Sequence, residues 1–197
     1  IETNQNNTVN IIYNFNLGKI AKIKKISFIG NKIFKDSKLR NVIVSEETKF
    51  WKFLTRNKFL DGNRIKLDEK KLYDFYKNKG YFYPIIKSSS AIIVDQNQFE
   101  LIYNIEAGNK YYFNEIVLDI SDEYSPENFD TFYKKFKKLK GKKYSSKVIN
   151  NIIDEINKIA LQKEFLFVNA DYTEIIIDED KINVQITFKE SKKFYVE

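Results

Sequence analysis

The chain has 197 residues, of which 43% are hydrophobic and 31% charged, so it contains enough apolar material for one or two small folded domains. It has no Cys, Met or His, which excludes disulfides, Cys- or His-liganded metal sites and catalytic pairs that use a thiol or an imidazole. The net charge of +7 comes almost entirely from Lys, since the Arg residues are Arg40, Arg56 and Arg64 alone. Because base readers favour the planar guanidinium group, we expect no nucleic-acid binding.

No run of apolar residues approaches the roughly 18 residues of a membrane-spanning helix. The chain begins at Ile1 without an initiator Met or a signal region, so we expect it to be a piece of a longer protein.

One sequence block recurs along the chain and alternates apolar and polar residues. Its copies are Val9–Phe15, Phe99–Ile105 and Ile182–Phe188. Period-two alternation predicts strands with one buried face. After each copy comes a short link and a second predicted strand, at Ala21–Phe28, at Tyr111–Ile120 and, as a stub, at Lys193–Glu197.

Between these strands the first unit changes to a helical period. Asp36 is expected to cap a short helix whose apolar face carries Leu39, Val42 and Ile43. A second helix is predicted from about Asp61 to Lys79, with the apolar stripe Ile65, Leu72, Phe75 and Tyr76. Gly80 follows where a left-handed helix cap favours glycine. The predicted strands Tyr81–Val94 and Phe99–Glu106 then form a hairpin.

The second unit repeats this order. One helical stripe consists of Phe129, Phe132, Phe136 and Leu139. Ser145 is expected to cap a second helix, whose apolar residues are Ile149, Ile152, Ile153, Ile156 and Ile159. The predicted hairpin Asn169–Asp178 and Lys181–Lys189 ends the unit.

The predicted fold class is therefore α+β, with tandem β-α-α-β-β repeats. Two antiparallel helices make the first and last strands parallel, and the hairpin makes the last two antiparallel. Each unit should be a three-stranded mixed sheet covered on one face by two helices. We expect 1–18 to end a preceding repeat, 19–107 and 108–192 to be two repeats, and 193–197 to begin another.

This order, with these residues, resembles the POTRA (polypeptide-transport-associated) repeat. The motifs that carry the resemblance are Gly30-Asn31 with Phe34, Tyr76…Gly80-Tyr81, and Leu139-Lys140-Gly141…Tyr144-Ser145. The first unit is also similar to the third POTRA repeat of the BamA family of outer-membrane protein assembly factors, through Trp51-Lys52-Phe53-Leu54, Lys58-Phe59 and Arg64-Ile65…Asp68…Leu72. The next unit then resembles the fourth.

The resemblance implies a periplasmic arm attached to a membrane β-barrel, with no enzymatic activity and no cofactor. The implied partners are accessory lipoproteins, unfolded outer-membrane proteins, adjacent POTRA repeats and the C-terminal barrel. Two alternatives stay open: the POTRA arm of another barrel transporter, such as one for two-partner secretion, and a basic module that binds anionic surfaces. A carboxylate enzyme would need two converging acids, and the sequence shows only adjacent pairs such as Asp68-Glu69.

The candidate partner-binding segment is an edge strand. It consists of Ser88, Ser89, Ser90, Ala91, Ile92, Ile93 and Val94. If it lies at the sheet edge, its free N–H and C=O groups can pair with an added strand, and no Pro or Lys guards it. The alternative is an ordinary solvated edge.

Other residues receive local roles. Trp51 and Phe53 occupy a long segment between helices, where packing over the repeat's own core is preferred to contact with a neighbouring repeat or partner. Ala107 and Gly108 form the expected hinge between units. Asp68 lies on the apolar stripe and is expected to bind loop amides, with Gly80 and Tyr81 as further structural residues.

Overall fold

The computed structural model describes residues 2–3, 9–10, 20–51, 54–121, 124–163, 165 and 168–190. Near the start, the short strands β1 (Glu2–Thr3) and β2 (Val9–Asn10) pair antiparallel. The rest of the predicted strand Val9–Phe15 and the predicted strand at 193–197 lie outside the described residues.

The first repeat contains one three-stranded sheet. Its elements are β3 (Lys22–Asn31), α1 (Asp36–Arg40), α2 (Gly62–Lys77), β4 (Ile85–Asp95) and β5 (Gln98–Glu106). The strand order is β3-β5-β4, so the last strand lies in the centre. It runs parallel to β3 and antiparallel to β4.

The second repeat has the same topology. Its elements are β6 (Tyr112–Ile120), a 3₁₀ turn (Pro126–Phe129), α3 (Asp130–Leu139), α4 (Ser146–Gln162), β7 (Val168–Asp178) and β8 (Lys181–Glu190). The order is β6-β8-β7, with β8 parallel to β6 and antiparallel to β7. The predicted α+β class with tandem mixed sheets is confirmed.

The helix termini differ in part from the sequence expectation. Asp61 caps α2, because its carboxylate accepts from the Arg64 N–H at 2.8 Å. The predicted cap at Asp36 is wrong: Lys35 is the N-cap, and Asp36 lies inside α1. Its carboxylate binds Lys32 Nζ at 2.5 Å, since that ammonium lies one turn earlier along the chain.

Each repeat has its own hydrophobic core. In the first, Leu72 and Tyr76 of α2 are fully buried against a sheet face that carries Leu101, Tyr103 and Ile105. The predicted stripe residues Ile65 and Phe75 are only half-buried. In the second, the buried helix residues are Phe132, Phe136, Ile149, Ile152, Ile156 and Ala160. Full burial of one such large apolar side chain contributes about 1.5–3 kcal/mol.

No helix among the described residues combines the length and the apolar character needed to cross a membrane.

Candidate strand-binding edge

Strand β4 is an edge of the first sheet and contains the segment identified from the sequence. Its only strand partner among the described residues is β5. The exposed side chains of the segment include those of Ile92, Ile93 and Val94, at 52%, 72% and 48%. Ser90 and Ala91 are exposed as well, and the backbone of Ser88 and Ser89 continues the strand. The end of β4 therefore presents apolar side chains beside an unpaired edge.

The register shows which backbone groups of β4 point away from the sheet. The Asn97 carbonyl accepts from β3, so the odd-numbered residues from 97 onward face β3 and the even-numbered residues face β4. Ile92 lies opposite Glu100, so its N–H and C=O are directed toward β5. The N–H and C=O groups of Ala91 and Ile93 consequently point outward, where an added strand would lie.

The opposite edge of the same sheet, formed by β3, is covered. The Ile26 N–H donates to the Glu47 carboxylate at 3.1 Å, and Arg40 Nη1 donates to the Ile26 carbonyl at 3.0 Å. The Thr48 N–H donates to the Ile23 carbonyl at 2.7 Å. Side chains and the segment between α1 and α2 thus occupy the positions that an added strand needs. In the first sheet, β4 is the edge left accessible.

Asp68 fixes the segment that covers β3. The carboxylate is fully buried and accepts from the Val44 N–H at 2.6 Å, from the Ser45 N–H at 3.3 Å and from the Tyr103 hydroxyl at 2.7 Å. Burial and the hydrogen bond to Asp68 raise the pKa of Tyr103. The chain reaches Glu47 two residues after Ser45, so Asp68 positions the group that covers Ile26.

Trp51 lies farther along this segment and is 60% exposed. Its ring contacts Phe50, with 4.5 Å between centroids, and Lys49 Nζ lies 5.7 Å from its centroid. The preferred interpretation, packing over the core of the same repeat, is therefore wrong for Trp51. Asp68 and β3 bind residues near the two ends of the segment, whereas the side chains of Phe50 and Leu54 are exposed like that of Trp51. Phe53 lies outside the described residues.

Gly80 and Tyr81 lie where the first repeat meets the second. Gly80 has a φ of +97°, in the left-handed region, and the Tyr81 N–H donates to the Tyr76 carbonyl at 3.1 Å after the end of α2. The Gly80 carbonyl accepts from the Tyr111 N–H at 2.7 Å, and Tyr81 forms a β-bridge with Lys110. The helix end thus pairs directly with the start of the next repeat.

The predicted hinge residues lie within this joint. Ala107 is fully buried in the core of the first repeat. Gly108 has a φ of +70°, and a Cβ built there would lie 3.2 Å from the Tyr83 carbonyl oxygen. Glycine is therefore favoured at this position by both backbone conformation and space.

Sequence reasoning missed several residues that join the repeats. Asn78 follows α2, and its side-chain oxygen accepts from the Lys147 N–H at 2.8 Å, in the first turn of α4. The hydroxyls of Ser145 and Ser146 lie 3.2 and 3.1 Å from the same oxygen. The predicted N-cap position at Ser145 is confirmed, but the Ser145 side chain makes no capping bond. The first repeat supplies the cap.

A cation from the first repeat also inserts into the second. Lys77 Nζ lies 4.6 Å from the Phe82 ring centroid, 5.6 Å from that of Tyr144 and 3.4 Å from the Glu174 carboxylate. The Tyr144 hydroxyl donates to Glu174, and burial together with this bond raises the pKa of Tyr144. Phe82 belongs to the core cluster of the second repeat although it precedes β4. These contacts oppose bending at Gly108.

Some of the surface lysines have acidic neighbours. Ion pairs join Lys25 to Glu100, Lys87 to Glu106, Lys135 to Glu155 and Lys181 to Asp178, at 2.8, 2.5, 2.8 and 3.0 Å. Local pairing of this kind reduces the long-range positive field that a basic anionic-surface module would need. Within the described parts of the chain, no group of three or more acidic side chains is arranged to hold a metal ion.

Comparison with known proteins identifies the first repeat. The family model of the POTRA domain, described as a surface antigen variable number repeat, matches residues 21–108. These residues are therefore similar to a POTRA repeat. The outer membrane protein assembly factor BamA of Neisseria meningitidis serogroup B (strain ATCC BAA-335 / MC58) is 28% identical over 114 residues, which are 57% of this chain. The match spans 14% of the length of that relative.

Solved structures extend the likeness over both repeats. The crystal structure of Haemophilus influenzae BamA POTRA3-5 has a TM-score of 0.63 at 16% identity and covers 88% of this chain and 68% of that chain. BamA from Haemophilus ducreyi lacking POTRA domains 1-3 has a TM-score of 0.58 at 11% identity, with 87% and 29% covered. At these identities the likeness concerns the fold. The predicted resemblance to POTRA repeats is confirmed, and the likeness to the BamA POTRA3-5 structure is consistent with the third and fourth.

Proposed function

We propose that the chain is part of the periplasmic arm of an outer-membrane β-barrel assembly protein and that strand β4 binds extended segments of other polypeptides by β-augmentation. The observation that carries the proposal is the asymmetry of the first sheet. Its β3 edge is covered by Arg40, Glu47 and Thr48, whereas β4 presents the outward groups of Ala91 and Ile93. An added strand gains main-chain hydrogen bonds at such an edge.

Main-chain pairing depends little on the sequence of the added strand. That property suits a module that handles many different barrel strands, and it supports unfolded outer-membrane proteins as ligands. Apolar side chains at Ile92, Ile93 and Val94 add contacts for the alternating apolar residues of a barrel strand. Accessory lipoproteins, adjacent POTRA repeats and the C-terminal barrel of the same protein complete the proposed set of partners. The module acts by binding, without catalysis.

The test uses two substitutions at one position. Ile93→Pro removes an outward N–H and places a ring at the edge, while Ile93→Ala removes more of the side chain and keeps the N–H. The isotope-labelled chain is titrated with a ten-residue peptide that has the alternating pattern of a barrel strand. We expect the NMR signals of the Ser88–Val94 amides to shift on binding. Ile93→Pro should weaken peptide binding strongly, and Ile93→Ala should weaken it little.

Equal binding by the two variants would refute pairing at this edge. Ile92→Pro serves as a further control, because the Ile92 N–H is directed toward β5 and its loss should lower stability as well as binding. Retention on heparin that weakens steeply with salt, without shifts in β4, would favour the basic surface module instead.

A further inference from the structure

The two repeats share a strand register but differ in how their first strands are covered. In both, a shift in pairing follows a buried residue near the strand start, Ile23 in β3 and Phe113 in β6. Both residues bond outward, since the Ile23 N–H donates to the Lys58 carbonyl at 2.8 Å and the Phe113 N–H donates to the Lys142 carbonyl at 2.9 Å. The equivalent of Ile26 in β6 is consequently Ile116.

The two repeats differ in what binds the outward backbone groups of Ile26 and Ile116. In the first repeat, Glu47 and Arg40 bind the outward N–H and C=O of Ile26. The corresponding groups of Ile116 have no side-chain partner within the part of the chain that the structure describes. The cause is the length of the connection between helices, because residues 41–61 separate α1 from α2 whereas residues 140–145 separate α3 from α4. The short connection ends before it reaches Ile116.

A groove lies where the cover is missing. It has a volume of about 260 Å³ and is lined by Asn114, Glu115, Ile116, Tyr133, Phe136, Lys137 and Lys140. This volume is below the range of about 300–1,000 Å³ that is usual for small-molecule pockets. A groove beside an unpaired strand edge is better suited to the side chains of a paired strand. Tyr133 supplies an exposed ring, at 37%, on the helix side.

We propose that the β6 edge and the facing side of α3 bind an extended polypeptide segment with acidic side chains. Outward backbone groups at Ile116 and, two residues later, Leu118 would pair with its main chain. Lys137 and Lys140 are exposed, have no ion pair with a described residue and outnumber Glu115, the one acidic residue of the lining, so the groove favours carboxylates. The segment needs about five residues, or roughly 17 Å of strand, to follow β6 from Asn114.

This site is separate from β4, and the experiment isolates it. The 197-residue chain carrying Ile93→Pro, which disables the β4 edge, is titrated with a blocked eight-residue peptide of alternating Val and Asp, and with one of alternating Val and Lys. The proposal predicts binding of the acidic peptide with shifts at the Ile116 and Leu118 amides. Reversing the two groove charges with Lys137→Glu and Lys140→Glu should weaken it about tenfold.

The matched control reverses the same number of charges on the exposed face of α3. Lys134 and Lys138 are exposed and do not line the groove. Lys134→Glu with Lys138→Glu makes the same change in net charge without altering the groove lining, so it should weaken the acidic peptide clearly less than the groove variant does. If both double variants lost the same affinity for the acidic peptide, the effect would depend on net charge alone. That result would overturn the proposal.

Two further results would also overturn it. Equal affinity for the acidic and basic peptides would remove the role of the lysines. Shifts at Ile116 that depend on protein concentration without peptide would assign the edge to a second copy of the chain. Preserved amide shifts elsewhere in the second repeat verify that each variant is folded, so loss of binding is interpretable.

Discussion

Removal of the Asp68 carboxylate should destabilise the first repeat more than most single substitutions. The carboxylate is fully buried and accepts from the backbone N–H groups of Val44 and Ser45 and from the Tyr103 hydroxyl. Asp68→Ala leaves all three donors without their acceptor. The Val44 and Tyr103 bonds are short, at 2.6 and 2.7 Å, whereas the Ser45 bonds are 3.3 Å long and count for less.

The magnitude follows from the number of donors. A buried donor left unsatisfied costs about 1–3 kcal/mol, so we expect a loss of about 3–6 kcal/mol for Asp68→Ala. Domain stabilities are about 5–15 kcal/mol, so the first repeat should become marginal. Asp68→Asn keeps one acceptor oxygen of similar shape and should cost about 1–3 kcal/mol. Tyr103→Phe removes a single donor and should cost less than Asp68→Ala.

Amide hydrogen exchange is the appropriate assay because it resolves the two repeats. Asp68→Ala should lower protection throughout β3, β4 and β5 and leave the second repeat far less affected. The Ile26 amide should lose protection early, since the segment that carries Glu47 is released. A loss below about 1 kcal/mol, or equal losses in the two repeats, would show that Asp68 does not stabilise the fold through these bonds.

Three further predictions concern the core, the joint and pH. Leu72→Ala should cost about 2–5 kcal/mol by denaturant unfolding because Leu72 is fully buried, and a smaller loss would contradict the assigned helix face. Asn78→Ala should lower the free energy of unfolding of the second repeat by about 0.5–2 kcal/mol. It should also widen the range of angles between the two repeats in X-ray scattering, whereas Asn78→Asp should preserve both the stability and the angle. Burial raises the pKa of Tyr103 and Tyr144, so the unfolded chain loses these protons first, and the free energy of unfolding should fall as pH rises above about 10. In the Tyr144→Phe variant, the free energy of unfolding should fall less over the same pH range.

The repeat pattern predicted the fold because strand alternation and helical stripes depend on local spacing. The blocks at Phe99–Ile105 and Ile182–Phe188 lie within β5 and β8, and the central position of these strands follows from their antiparallel hairpins. Gly80 was found from the sequence because a left-handed residue after a helix favours glycine, and its φ is +97°.

The covered edge and the joint could not be predicted in the same way. Arg40 and Glu47 are ordinary charged residues in the sequence, and their role depends on the path of the segment between α1 and α2. The side chain of Asn78 caps a helix that begins 68 residues later, so no local capping pattern contains both partners. Lys77 gave no signal either, since one more lysine in a lysine-rich chain is not distinctive.

For Trp51, the sequence predicted packing over the core that the structure does not show. An aromatic residue in a long connection was expected to pack over the core, but Asp68 and β3 bind residues near the two ends of that connection, and Trp51 between them is 60% exposed. Burial of a loop ring requires apolar surface beneath it. The direction of the segment determines whether such surface is present, and the sequence contains no direct information on that direction.

The most direct test of strand pairing at β4 is amide exchange with and without a barrel-strand peptide. The outward N–H groups of Ala91 and Ile93 should exchange quickly in the free chain and become protected when the peptide binds. The Ile92 amide, which is directed toward β5, should change much less. Binding that leaves Ala91 and Ile93 unprotected, or that protects Ile92 equally, would contradict pairing at this edge.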